Sequence, residues 1–139
     1  MDFGQVKQLI DAAGVGYLAT ATDDGVPKVR PMAGCVWVDG ELWCASFLKT
    51  DKVDQIQANP QVEFCFMDPQ WNHVRIGGDC RISTDTDDRR RIYGLLPELA
   101  EYVQGAEDPK LAVLRTTVGQ IRAMTSDARR YVEVPLEPA

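Results

Sequence analysis

The sequence predicts a mainly β protein, an antiparallel barrel of six or seven strands with a few helices at its periphery. Residues Asn72 to Ser83 alternate cleanly, with Val74, Ile76, Cys80 and Ile82 on one face and His73, Arg75, Asp79 and Arg81 on the other. That is the period-2 pattern of a half-buried strand. Two turn signals, Asp23-Asp24-Gly25 and Asp39-Gly40, separate other β-rich runs at hairpin spacing. The 139 residues, 45% of them hydrophobic, suffice for one sizeable core and are expected to form a single domain spanning 1–139.

Taken in order, MDFGQVKQLIDAAG reads as an amphipathic helix, because Phe3, Val6, Ile10 and Ala13 share one stripe and Gly14 ends it. Asp2, Lys7 and Asp11 interrupt this segment, so it is not expected to be a secretory leader. Gly16 to Thr22, GYLATAT, is a strand, and Val26 to Val38 reads as a second. Val29, Ala33, Cys35 and Trp37 are assigned to one face of it, Lys28, Arg30 and Met32 to the other. Pro31 has no N–H, so it requires a sheet edge or a bulge there, and it holds Arg30 extended.

A third strand, Leu42 to Phe47, runs through Leu48 and Lys49 into a helix opening on Thr50-Asp51-Lys52 and stopped by Asn59-Pro60. Val53 and Ile56 face inward on that helix. VEFCFM, Val62 to Met67, is a nearly continuous apolar run, expected to be buried on both faces. Gly77-Gly78 marks a bulge in the next strand. Asp85 to Gln104 turns helical, with Pro97 opening a second piece. After a loop at Gly105 to Pro109, Leu111 to Thr125 reads as one or two strands around Gly119, and Tyr131 to Leu136 as a short edge segment.

The formal net charge of −6 argues against general nucleic-acid binding, which needs a broad basic face. Against that background Lys28 and Arg30 on one strand, with Lys49 and Lys52 around a helix start, form a local cationic cluster. A helix first turn offers free N–H groups and a positive dipole end, and Thr50 adds a hydroxyl, so this segment suits a phosphate. No run approaches the roughly 18 apolar residues of a membrane span, and a cytoplasmic location is expected.

Cys35, Cys44, Cys65 and Cys80 lie in strands without metal-ligand spacing, and His73 is the only histidine. Reduced, buried thiols and no metal site are expected. His73 is expected on a solvated or interface position, and Arg89-Arg90-Arg91 on the outer face of a helix. No nucleophilic triad or dyad is apparent, and no catalytic side chain is assigned.

GYLAT, then GVPKVRPM, then ELWCASFLKTDKVDQI followed by NPQVEFCFMD, with GGDCRISTDTDDRRRIYGLL further on, resembles the pyridoxamine-5'-phosphate oxidase-like superfamily of FMN-binding split β-barrels. The small general-stress and uncharacterised branch is the closer likeness. The resemblance implies a homodimer with FMN at the subunit interface, a small-molecule substrate, and two-electron oxidoreduction through the flavin. It implies that Arg30 pairs with the FMN phosphate or lies along the flavin edge, and that Pro31 and Met32 line the ring. Ala45 and Ser46 would meet its polar edge. Thr50 and Lys52, with Lys49 adding charge, would hold the phosphate, and Trp71 would cover the flavin from the partner subunit, core or interface packing being its plainer role.

Three positions depart from the oxidases proper. Asp51 stands where a second basic residue is usual, Cys35 where a lysine is usual, and TSDARRYVEVPLEPA lacks the Arg-x-His segment that grips the pyridoxal substrate. Vitamin B6 oxidation therefore stands behind a general flavin oxidoreductase. Beside them stand a non-catalytic flavin carrier, a haem- or deazaflavin-binding relative, and a cofactor-free dimer that binds another small phosphate.

Overall fold

The computed structural model describes residues 1–136. The chain runs α1 (Phe3–Ala13), β1 (Val15–Ala21), β2 (Pro27–Ala33), β3 (Cys35–Val38), β4 (Glu41–Phe47), α2 (Asp51–Ala58), β5 (Gln61–Met67), β6 (His73–Ser83), α3 (Thr86–Leu95), a 3-10 helix (Pro97–Glu101), β7 (Leu111–Met124) and β8 (Val132–Glu133). The strands pair antiparallel in the order β2-β1-β5-β6-β7-β4-β3, and β8 adds to β7.

β2 and β3 stand at opposite ends of this order, yet a single residue, Gly34, joins them. The sheet must therefore curl round on itself. Gly34 has φ +73°, a backbone state costly for any residue with a Cβ, and it carries the chain from one sheet edge to the other. β2 makes no ladder with β4, so the barrel is split along that seam. The result is the expected mainly β split barrel with peripheral helices.

Apolar packing fills both sides of the β4–β7 region. Inside the barrel, Leu18, Leu42, Phe64, Phe66, Ile76, Leu114 and Ile121 pack with Val6 and Ile10 of α1 and Val53 and Ile56 of α2. Outside it, Trp43, Leu111 and Val113 pack with Ile92 of α3 and with Leu96, Leu99 and Val103 around the 3-10 helix. Asp2 caps α1 as a reciprocal capping box with Gln5. None of the described helices is long and apolar enough to cross a membrane.

The structure corrects two readings of the sequence. Val26 to Val38 is two strands, and the face expected to be buried on the first is the outer one: Val29 is 71% exposed and Met32 4%. The positive φ at Gly34 breaks the alternation, so Cys35 and Trp37 pack inward while Val29 and Ala33 do not. β5 is buried on one face only. Val62, Phe64 and Phe66 are buried, Glu63 and Cys65 are half-buried and Met67 is exposed, because among the described residues no second layer covers that side.

β7 is one continuous strand, and the register shift against it falls between Gly77 and Gly78, as expected. The extra residue belongs to β7, since Gly77 pairs with Gln120 and Gly78 with Val118, leaving Gly119 over. Tyr131 to Leu136 does contribute an edge pairing, Val132 with Ala123 and Glu133 with Arg122.

An ionic cluster fastens α3 to the sheet. Arg115 donates to Glu41 at 2.8 and 3.0 Å and to Asp88 at 3.0 Å, and Arg81 donates to Glu41 at 2.9 Å. The Trp43 indole also donates to Glu41, at 3.0 Å. Burial of the Glu41 carboxylate works against its charge, but the bonds from Arg115, Trp43 and Arg81 together outweigh it and hold its pKa down at about 2. A pKa lower in the folded than in the unfolded chain, where Glu titrates near about 4.3, contributes stability above the higher value. That contribution is lost as pH falls from about 4.3 through about 2. Melting measured across this window should therefore show a fall in wild-type stability that is flatter in Glu41→Gln; parallel profiles would contradict it.

Candidate functional site

The site is built where the barrel opens. Pro31, Met32 and Ala33 of β2, then Gly34, form one wall of a cavity of about 290 Å³. Ala45, Ser46 and Phe47 at the end of β4 form a second, and Lys52 of α2 closes one end. Glu98, Leu99, Tyr102 and Val103, with Leu111 at the start of β7, complete it. The volume lies at the lower edge of ordinary small-molecule sites, which run from about 300 Å³. Most of the lining is apolar, with a hydroxyl, an ammonium, a phenol and a carboxylate at its margins.

Sequence and topology explain why these residues converge. β4 must pair with β7, register Ser46 to Ala112 and Phe47 to Leu111, so its end lies beside the loop that follows the 3-10 helix. α2 starts four residues after β4 ends, which places its first turn over the end of that strand. There Lys52 Nζ donates to Ser46 Oγ at 3.0 Å.

Arg30 lies beside this cavity, clamped between β1 and α2. Its Nη1 donates to Thr20 Oγ1 at 2.7 Å and Leu18 O at 3.3 Å, and its Nη2 to Gln55 Oε1 at 2.7 Å. Thr20 is 3% exposed and itself donates to Gln55 at 2.7 Å. The guanidinium is thus oriented by neutral acceptors, which leave its charge uncompensated. Among the described residues neither Arg30 nor Lys52 makes an ion pair.

Both groups feel that shortage. Burial lowers the Arg30 pKa, with Asp51 opposing. Burial and then the Arg30 charge lower that of Lys52, again with Asp51 opposing. A half-buried guanidinium whose charge pushes the neighbouring Lys52 ammonium toward neutrality makes a site an anion would relieve. Asp51, the departure noted in the sequence, is exposed; its charge moderates the repulsion and suits a helix first turn.

The end of α2 is also open. Thr50 occupies the N-cap position without capping it; its hydroxyl donates instead to Phe47 O at 3.0 Å. Among the described residues no side chain satisfies the N–H groups of Asp51, Lys52 and Val53 at the start of α2, which remain available to an acceptor.

Seven of the expected site residues (Arg30, Pro31, Met32, Ala45, Ser46, Thr50 and Lys52) are therefore gathered in or beside one cavity. Two are not. Lys49 is exposed and lines a separate hollow with Phe47, Leu48, Pro109 and Lys110. Trp71 lies in the β5–β6 turn, 69% exposed with φ +71°, outside the cavity of its own chain. Lys28 is exposed on β2.

Other expected positions resolve as follows. His73 is half-buried, Nε2 2.9 Å from the Tyr131 hydroxyl and Nδ1 3.0 Å from Trp71 O. Arg90 and Arg91 do pair outward, with Glu107 and Asp39, but Arg89 turns in to donate to Leu111 O at 2.8 Å. All four cysteines are free thiols, and among the described residues no cluster could hold a metal ion.

Sequence reasoning missed the wall formed by Glu98, Leu99, Tyr102 and Val103. Pro97 signalled the helical piece, but nothing local signalled that it would face the β2–β4 seam.

Comparison with known proteins places this architecture. The family model for pyridoxamine 5'-phosphate oxidase matches residues 3–125. No curated protein matches in sequence. Among solved structures, a NimC/NimA family protein from Clostridium acetobutylicum superposes with a TM-score of 0.81 at 24% identity, covering 94% of this chain and 89% of that one. General stress protein 26 from Bacillus anthracis gives 0.76 at 18% identity, covering 94% and 96%. An F420 reductase gives 0.67 at 22% identity, covering 83% and 94%. At these identities the structural likeness is one of fold.

Proposed function

The chain belongs to the pyridoxamine 5'-phosphate oxidase family, and from that premise we propose that it is an FMN-binding oxidoreductase acting on a small molecule. The observation that carries this reading is the uncompensated pair Arg30 and Lys52 beside the open end of α2, next to an apolar cavity. The residues fit the coenzyme. Its phosphate, a dianion, matches two cations, free helix N–H groups and, once rotated away from Phe47 O, the Thr50 hydroxyl. Its ring matches the apolar lining contributed by Pro31, Met32 and Ala45. Ser46, already bonded to Lys52 at 3.0 Å, offers a hydroxyl at the polar margin.

When bound, FMN supplies two-electron chemistry through its N5 position. The chain's part is to bind and orient. Gln55 and Thr20 hold the Arg30 fork in a fixed direction, so little side-chain freedom is lost when an anion arrives. Leu99, Val103 and Leu111 exclude water from one side of the cavity. No proton-transferring side chain is assigned.

The substrate is proposed to be small and uncharged or cationic. Lys52 is the single cation in the cavity lining and is committed to the coenzyme, whereas Glu98 places a carboxylate at the wall. A second phosphate would meet repulsion there, which ranks pyridoxamine 5'-phosphate below other acceptors.

A homodimer completes the proposal, with residues 1–139 as one FMN-binding domain in each copy. The outer face of β2-β1-β5 is apolar and open: Val29 is 71%, Tyr17 50%, Val15 44% and Met67 41% exposed. In register, Tyr17 lies between Pro31 and Cys65, so these residues form a continuous patch that a second copy can cover. Trp71, absent from its own cavity, is proposed to serve the other copy's coenzyme.

Anaerobic addition of NADH or NADPH to FMN-loaded protein tests the enzymatic part. Bleaching of the bound flavin, reversed by an acceptor, is expected. Failure of both nucleotides and of dithionite-reduced protein to pass electrons to any acceptor would leave a flavin carrier instead.

A further inference from the structure

We propose that Cys35 and Cys44 form an oxidisable dithiol, a redox-modification site that closes to a cross-strand disulfide on exposure to a hydroperoxide. The two residues are direct register partners on β3 and β4, and their sulfurs lie 2.6 Å apart. Ala45 N–H donates to Gly34 O at 3.4 Å, so the hydrogen bond flanks the pair and does not lie within it. Cys35 and Cys44 are thus a non-hydrogen-bonded antiparallel pair, the type whose Cα atoms stand about 4.5 Å apart with side chains closest. That spacing falls within the range of about 4.4–6.8 Å that a disulfide spans. Closure needs rotation of side chains and no displacement of a strand.

The other two thiols lack this arrangement. Cys65 pairs with Tyr17 and Arg75, on the outer side of β5. Cys80 lies inside the barrel with Thr116 as its register partner. Only the hairpin pair is poised.

Its members differ in access, which sets the order of events. Cys35, at the start of an edge strand, is half-buried; Cys44 is fully buried. Burial and the neighbouring Cys35 push the Cys44 thiol pKa up, so Cys35 is the attacking group. Its thiolate attacks the peroxide, the O–O bond breaks, and hydroxide (or alkoxide) leaves, taking up the proton shed by the Cys35 thiol to become water (or an alcohol) and leaving a sulfenic acid; sulfur is oxidised by two electrons and the peroxide reduced by two. The Cys44 sulfur then attacks the Cys35 sulfur, the S–O bond breaks, and hydroxide leaves with the Cys44 proton as water. The new S–S bond stands one residue from Gly34 and Ala45, both of which line the cavity. It would pin β3 to β4 where the barrel seam begins. This inference is independent of what occupies the cavity.

The test uses the full-length wild type, treated with hydrogen peroxide, alkylated under denaturing conditions and digested on either side of Asp39-Gly40. Loss of two of the four thiols, a Cys35–Cys44 peptide lighter by two hydrogens, and full recovery with dithiothreitol are expected. Cys65→Ser should behave like wild type, and Cys35→Ser should keep Cys44 alkylatable. Retention of both thiols while Cys65 oxidises, a Cys44–Cys80 linkage, or sulfinic acid at Cys35 without linkage would each overturn the proposal.

Discussion

Lys52→Ala and Arg30→Ala will each weaken FMN binding by about 1–3 kcal/mol, the range of one hydrogen bond to a charged group, or roughly 5- to 150-fold in Kd. The reason lies in the present state of these groups. Lys52 is half-buried, bonded to Ser46 at 3.0 Å, and destabilised as a cation by burial and by Arg30. A phosphate dianion converts that repulsion into two attractive pairs, so removing either cation removes one pair. Arg30→Ala also breaks the bonds to Thr20 and Gln55 at 2.7 Å, so its melting temperature must be measured alongside. Arg30→Lys keeps charge but loses the fork, and should fall between wild type and alanine. Lys28→Ala, exposed on the same strand, should bind FMN like wild type. Unchanged flavin fluorescence titrations for both alanine variants would remove the phosphate clamp from the account.

The largest stability loss from a single methyl group is expected at Gly78. A Cβ there would sit 2.2 Å from the Thr117 carbonyl oxygen and 3.1 Å from Thr116 Cγ2. The obstruction is the backbone of the paired strand, at the bulge that bends β6 against β7, so it cannot rotate aside. Gly78→Ala should cost about 3 kcal/mol, the upper part of the range for overpacking, and lower Tm by roughly 10 °C for a chain of this size. Gly77→Ala is the matched control, since its Cβ would meet nothing nearer than 3.9 Å. Gly16 is a weaker case despite an approach of 2.3 Å, because the atom met belongs to the Phe66 ring, and a side chain can yield. Equal melting temperatures for Gly77→Ala and Gly78→Ala would contradict the bulge geometry.

Much of this was legible in the residues because it is local. Asp39-Gly40 announced its hairpin, Asn59-Pro60 its helix end, and Gly77-Gly78 the register shift. The clustering of Lys52 with Ser46 followed from a strand, a short loop and a helix start. Across a two-residue turn at Asp39-Gly40, positions that sum to 79 pair, and the structure accordingly sets Cys35 opposite Cys44. What could not be read was set by the closing of the sheet. Alternation continues through Gly34 in the sequence, and only the competition between pairing β2 with β1 and β3 with β4 breaks it there. Val29 looks like a core residue because it is apolar, yet it lies on a face that the described residues leave open. The Glu98–Val103 wall depends on where the return to β7 passes, a matter of topology that no short-range pattern encodes.

The most direct test of the phosphate clamp is a pair of wild-type titrations, FMN against riboflavin, which share a ring and differ in the phosphate. FMN should bind at least about tenfold tighter, a difference of about 1.4 kcal/mol or more, and the gap should narrow with added salt. Equal affinities for the two flavins would mean that Arg30, Lys52 and the start of α2 do not hold the phosphate.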